Sequence, residues 1–142
     1  MASINSGKVI TGGLLAGVVM NVCDTAWNFT VLKDDMIAMA QKFGMDAATA
    51  MSFSTAVPWI FVDFVLGVII VWNYAAIRPR FGPGPKTAVL AGLVPYLAGT
   101  VIVYGFTSMG MVSAAAFVKG TLTSLISVVL GSLAGGWAYK EE

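Results

Sequence analysis

Apolar residues run through the chain in four long stretches, separated by short segments that are polar or rich in proline and glycine. The first, residues 8–32, is almost purely apolar at its start, apart from Thr11 and its glycines. It then carries Asn21, Asp24 and Asn28 in its second half. The others cover about residues 54–77, 87–106 and 117–139. Each is about long enough to cross hydrocarbon as an α-helix, which takes roughly 20 residues. Residues 33–50 are too polar to span. Asp34 and Asp35 can cap a short helix over about residues 35–43, and Gly44 can end it. Met36, Met39, Ala40 and Phe43 share one face of that helix, so it lies along the membrane surface. Asp46 caps the approach to the second span. Pro58 kinks that span near Ser54, and Pro95 kinks the third. Residues 78–86, RPRFGPGPK, form a rigid turn. The expected fold is an all-α integral membrane protein. It is a single membrane domain over residues 1–142, a four-transmembrane-helix bundle with a short amphipathic surface helix between spans one and two.

Composition agrees and narrows the chemistry. The chain is 58% hydrophobic and 11% charged, with a mean hydropathy of +0.85, far from a soluble domain. A net charge of +1 suggests no nucleic-acid surface. One cysteine, Cys23, allows neither an internal disulfide nor a cysteine metal cluster. Histidine is absent, which removes the commonest metal ligand, haem ligand and general base. No serine or threonine therefore has a histidine base, and Gly82-Pro83-Gly84-Pro85 lacks the backbone donors of a phosphate loop. Asp24 and Asp63 nominally supply an aspartyl protease pair, but their flanking residues do not fit one. The expectation is a protein that is not an enzyme and holds no cofactor and no metal. Lys8 precedes an apolar run, as in a signal peptide. However, Met20, Asn21 and Val22 lack the small residue that lipoprotein processing wants before Cys23, and the run continues to Leu32. It reads as a retained first span.

Basic residues set the orientation. Lys8, Arg78, Arg80, Lys86 and Lys140 fall on one side of a four-span chain. Lys33 and Lys42 fall on the other, diluted by Asp34, Asp35 and Asp46, with Lys119 at the edge. Both termini are thus expected in the cytoplasm. Trp72, Tyr74, Trp137 and Tyr139 would form an inner aromatic belt, and Trp27, Trp59 and Tyr104 an outer one. A weak echo relates Leu66-Gly67, Trp72 and Tyr74 to Leu130-Gly131, Trp137 and Tyr139, as two related hairpins would.

The opening residues 6–17, SGKVITGGLLAG, and the loop residues 74–88, YAAIRPRFGPGPKTA, resemble those of a group of small four-span bacterial membrane proteins. The resemblance covers most of the chain. It implies the fold and a place in the bacterial cytoplasmic membrane, and it brings no activity and no functional residue.

The polar residues inside the spans are the candidates for chemistry. Spacings of three and four put Asn21, Asp24 and Asn28 on one helix face. An ionisable group in hydrocarbon costs about 2.5–3.5 kcal/mol on insertion scales, so that face must meet protein or water. At 1.5 Å rise per residue, Asp24 and Asp63 both lie roughly 12–14 Å below the outer surface. Lys119 enters from the outer end of span four, and Thr100 and Tyr104 approach from span three. Two carboxylates in one low-dielectric site share a proton, which suits a proton or cation site. Equally, Lys119 could neutralise one aspartate in a purely structural cluster.

Small residues tell a second story. Gly13 and Gly17 form one close-approach motif in span one. In span four, Gly120, Ser124, Ser127, Gly131 and Gly135 form a continuous small stripe that lets backbones touch. Such stripes pack a bundle internally or dock it onto a second chain. Two functions remain, of which the first is preferred because Lys119 can compensate the intramembrane charge that a small transporter would leave uncompensated. One is an accessory or scaffolding subunit acting by helix packing, as a homo-oligomer or in a larger membrane complex. Its partners would be the lipid bilayer and other helices. The other is a small transporter or channel built on Asp24 and Asp63.

The orientation is testable by cysteine labelling in a Cys23→Ala background. Reagents confined to the outside should modify Gly44→Cys and spare Phe81→Cys; the opposite pattern would invert the topology.

Overall fold

The computed structural model describes residues 4–140 and is all-helical, with no strand among the described residues. In chain order the helices are α1 (Ser6–Phe29), α2 (Lys33–Lys42), α3 (Ala47–Ala50), α4 (Phe53–Phe81), α5 (Pro85–Ser108) and α6 (Ala114–Ala138). Four of them, counting α3 with α4, are long and apolar enough to cross a membrane. Helix α1 packs on α4 and α6, and α5 packs on the same two from the other side. The Asn5 backbone N–H lies 3.4 Å from the Tyr139 hydroxyl, so the two ends of the described chain meet. The α4–α5 turn shares that end of the bundle, and α2 with α3 closes the opposite end.

Side chains start three of these helices by accepting the otherwise unpaired N–H groups of the first turn. Asn5 accepts from Lys8 at 3.0 Å, Asp46 from Thr49 at 2.7 Å and Ser113 from Ala116 at 3.1 Å. The Thr49 N–H holds the exposed Asp46 carboxyl below its ordinary pKa. Gly44 ends α2 as its position suggested. With φ at +76° it lets its own N–H reach Gln41 O and that of Met45 reach Ala40 O.

Several boundaries differ from the sequence expectation. Asp46 caps the separate short helix α3. Asp34 and Asp35 do not cap α2; they sit inside its first turn, where carboxylates complement the helix dipole, and Leu32 takes the cap position. Helix α1 stops at Phe29, short of residue 32. Helix α4 runs unbroken through Pro58 and on to Phe81. The expected turn over 78–86 thus shrinks to residues 82–84. Arg78 and Arg80 join the last turn of α4, where cations face the negative end of the dipole. The turn is fixed by Thr87, whose hydroxyl donates to Gly82 O at 2.8 Å, and by Gly84, whose N–H donates to the Tyr74 hydroxyl at 3.1 Å.

Packing is concentrated near the termini. Val9, Ala16 and Met20 of α1, Ile70, Val71, Tyr74 and Ala75 of α4, and Ala88 and Ala91 of α5 are all buried. Glycines make this possible. A Cβ on Gly13 would stand 2.6 Å from Val68 Cα, and one on Gly17 2.9 Å from Phe64 Cα. One on Gly67 would strike Gly13 O and Gly17 N, so α1 and α4 touch backbone to backbone. Across the other side of α1, Gly131 meets Met20 and Ala16, and Gly135 meets Gly12 O and Ala16. Both glycine faces are therefore filled within one chain. Gly13, Gly17, Gly131 and Gly135 thus pack within the bundle, the first of the two roles expected for such residues. At the far end of the stripe, Gly120 has nothing within 4 Å of a built Cβ. Within the chain Gly120 takes no part in this packing.

The aromatic belts also change. Trp72 and Trp137 are exposed, as belt residues would be, but Tyr74 and Tyr139 are buried with their rings 6.0 Å apart, edge to face. Each hydroxyl accepts the backbone N–H of another helix's N-cap residue: Tyr74 from Gly84 before α5, Tyr139 from Asn5 before α1. A buried tyrosine needs such a partner for its hydroxyl.

These contacts predict opposite responses at two glycines. Gly67→Ala should lower stability by about 1–3 kcal/mol, because backbone cannot yield to the new methyl. Gly120→Ala should leave it unchanged or raise it by up to about 1 kcal/mol. Unfolding in mild detergent compares them, and equal effects would contradict this packing.

Candidate functional site

Away from the glycine contacts the helices part around a cavity of about 620 Å³. The second half of α1, the first half of α4 and the start of α6 form its walls, and Leu32 and Met36 with residues 50–52 close its end. Helix α5 contributes nothing. Thr100 and Tyr104, expected to approach this level, do not reach the cavity: the Thr100 hydroxyl donates to Tyr96 O, and Tyr104 is 61% exposed against Phe117.

Asn21, Asp24 and Asn28 all line the cavity, as their shared helix face requires, and Asp63 lines it from α4. The pairing of the two carboxylates in one space follows the sequence expectation. Their surroundings differ. Asp24 accepts a hydrogen bond from the Ser127 hydroxyl, which in turn accepts from the Trp27 indole N–H at 3.2 Å. This chain of three side chains ties α1 to α6. The Asn21 amide donates to Gly17 O on its own helix and at 3.3 Å to Ile60 O, tying α1 to α4. Asp63 and Asn28 have no hydrogen-bond or ion-pair partner among the described residues.

Lys119 corrects the charge assignment. Its ammonium pairs with Asp35 on α2 at 2.7 Å, with Lys119 45% exposed. It does not neutralise Asp24 or Asp63. The reason is geometric: Asp35 sits in the first turn of α2, which the chain folds across the end of the bundle beside the start of α6. No lysine or arginine lines the cavity. Ser124 and Gly120 face into it, so the upper part of the small stripe lines a cavity while the lower part packs helices.

Sequence reasoning missed the aromatic side of this site. Trp27 and Trp59, assigned to an outer belt, line the cavity together with Phe29 and Phe53. Trp27 could have been found from its spacing. It follows Asp24 by three residues, so the two are neighbours on one helix face. Ser127 was read only as a small packing residue. Its role depends on which residue of α1 stands opposite, which needs the structure. Among the described residues no three of His, Cys, Asp or Glu come together in a way that could hold a metal ion.

No protein-family model, curated protein or solved structure matches the chain.

The two carboxylates should respond differently to substitution. Ser127→Ala removes the partner of both Trp27 and Asp24 and should cost about 1 kcal/mol, the scale of buried hydrogen bonds inside membranes. Asp63→Asn breaks no contact and should leave stability within about 0.5 kcal/mol of native. Denaturation followed by tryptophan fluorescence gives both values. A loss at Asp63 as large as at Ser127 would mean that Asp63 has a structural partner.

Proposed function

We propose that this protein is a small membrane carrier that binds a cation or proton between Asp24 and Asp63, in a bacterial cytoplasmic membrane with both termini in the cytoplasm. One observation carries the reading: two carboxylates face one cavity whose wall holds no basic residue, while the nearest expected counter-ion, Lys119, is held by Asp35. Intramembrane carboxylates left without a basic partner are expensive and are kept where a charge must be bound or moved. Asp24 is fixed by Ser127, and Asp63, with no hydrogen-bond or ion-pair partner among the described residues, can meet the ligand. The basic residues at the terminal end of the bundle, among them Arg78 and Arg80 in α4, support the assignment of that end to the cytoplasm. Action as a scaffolding subunit remains the second reading. It drew mainly on Lys119 compensating the intramembrane aspartates, and Lys119 pairs with Asp35 instead.

Flux through reconstituted vesicles tests the proposal. Under an imposed potassium diffusion potential, native protein should move protons several-fold faster than empty vesicles, as read by an internal pH dye. Asp63→Asn should return the rate to that of empty vesicles while folding normally. Equal rates for native protein and the variant would end the carrier reading.

A further inference from the structure

We propose that the ligand of this cavity is a lipophilic organic cation, one positive charge carried on aromatic or branched apolar bulk. The inference rests on the cation-binding reading above and gives it a substrate class.

Size comes first. At about 620 Å³ the cavity falls within the roughly 300–1,000 Å³ typical of small-molecule sites. A bare divalent cation is usually held by several oxygen ligands, carboxylates prominent among them, and among the described residues no three of His, Cys, Asp or Glu gather in a way that could hold one. The walls come second. Trp27, Trp59 and Phe29 supply aromatic surface and Met36 a soft, adaptable side chain, with the carboxylates of Asp24 and Asp63 among them. Aromatic faces attract organic cations, most strongly where water is excluded, and methionine reshapes itself around ligands of varied outline. The rim comes third. Trp59 is 65% exposed, so the border of the cavity is apolar on the lipid side. An amphipathic cation can enter over such a rim, while a hydrated inorganic ion would lose its water there. A phospholipid headgroup fits less well, because its phosphate would face two carboxylates and no basic residue.

The probe is tetraphenylphosphonium, with tetraphenylborate as an anion of the same shape. Radiolabelled ligand is bound to the full chain in lipid nanodiscs. Saturable binding of the phosphonium, with none of the borate, is expected. Asp63→Asn should weaken it by about tenfold or more, the scale of a lost desolvated charge pair. Trp59→Leu should weaken it severalfold while keeping apolar bulk, and Asp34→Asn, outside the cavity, should leave it unchanged. Equal binding of both ions, or indifference to Asp63→Asn, would overturn the proposal. If the phosphonium fails to bind while proton flux in vesicles still depends on Asp63, the organic-cation assignment falls and the carrier reading stands. Failure of both measurements removes both.

Discussion

The fold depends on the backbone approach of α1 to its two neighbours. Inside lipid, apolar side chains gain nothing by leaving hydrocarbon for a protein interior, so helices associate through van der Waals contact and a few hydrogen bonds. Dispersion contacts are individually small and fall off within an ångström of added separation. Gly13, Gly17 and Gly67 bring α1 and α4 into backbone contact, and Gly131 and Gly135 do the same for α1 and α6. These glycines all lie in the half of the bundle nearest the termini. In the other half α1 carries Asn21, Asp24, Trp27 and Asn28 on its inward side. Side chains of that size hold helices apart. Tight packing at one end and a cavity at the other are thus two outcomes of where the small residues fall.

Polar groups within the open half divide by what they hold. Asn21 bridges to α4, and Trp27, Ser127 and Asp24 bridge to α6. These bonds replace the backbone contacts that glycines provide lower down, so the walls are held without collapsing. Lys119 and Asp35 fasten the start of α6 to the surface helix whose Met36 closes the cavity. An exposed pair of that kind contributes about 1 kcal/mol or less, so it positions α2 more than it stabilises the protein. Asp63 and Asn28 are left over from this scheme. Among the described residues neither is needed to hold the walls together.

Much of this was legible in the sequence. Four apolar stretches with basic residues at one side gave the spans, and helical spacing placed Asn21, Asp24 and Asn28 on one face. Matched depth brought Asp24 and Asp63 together, a pairing that survives although α1 ends at Phe29. The errors share one origin. Lys119, Tyr74, Tyr139 and Trp27 were placed by their height along a helix, and height does not say which way a side chain turns. Lys119 turns to Asp35, the tyrosines turn into the core, and Trp27 turns to Ser127. The glycine stripe was legible only in part. A row of small residues shows that something approaches closely, but only the packing of α1 against α6 shows that the neighbour belongs to the same chain.

A site built this way has a particular mechanical character. Its floor is continuous with the glycine-packed half, where one added methyl would meet backbone, and packed interiors of that kind do not deform smoothly. Its upper wall depends on single hydrogen bonds and one exposed ion pair, each weak enough to exchange for a ligand contact. Asp24 is anchored against α6 and fixes one charge in space, whereas Asp63 lines the cavity from α4 with no anchor among the described residues. On the proposed carrier reading, a cation would be shared between a carboxylate held by Ser127 and one without such a bond, and would be released without breaking the glycine contacts at the other end of the bundle.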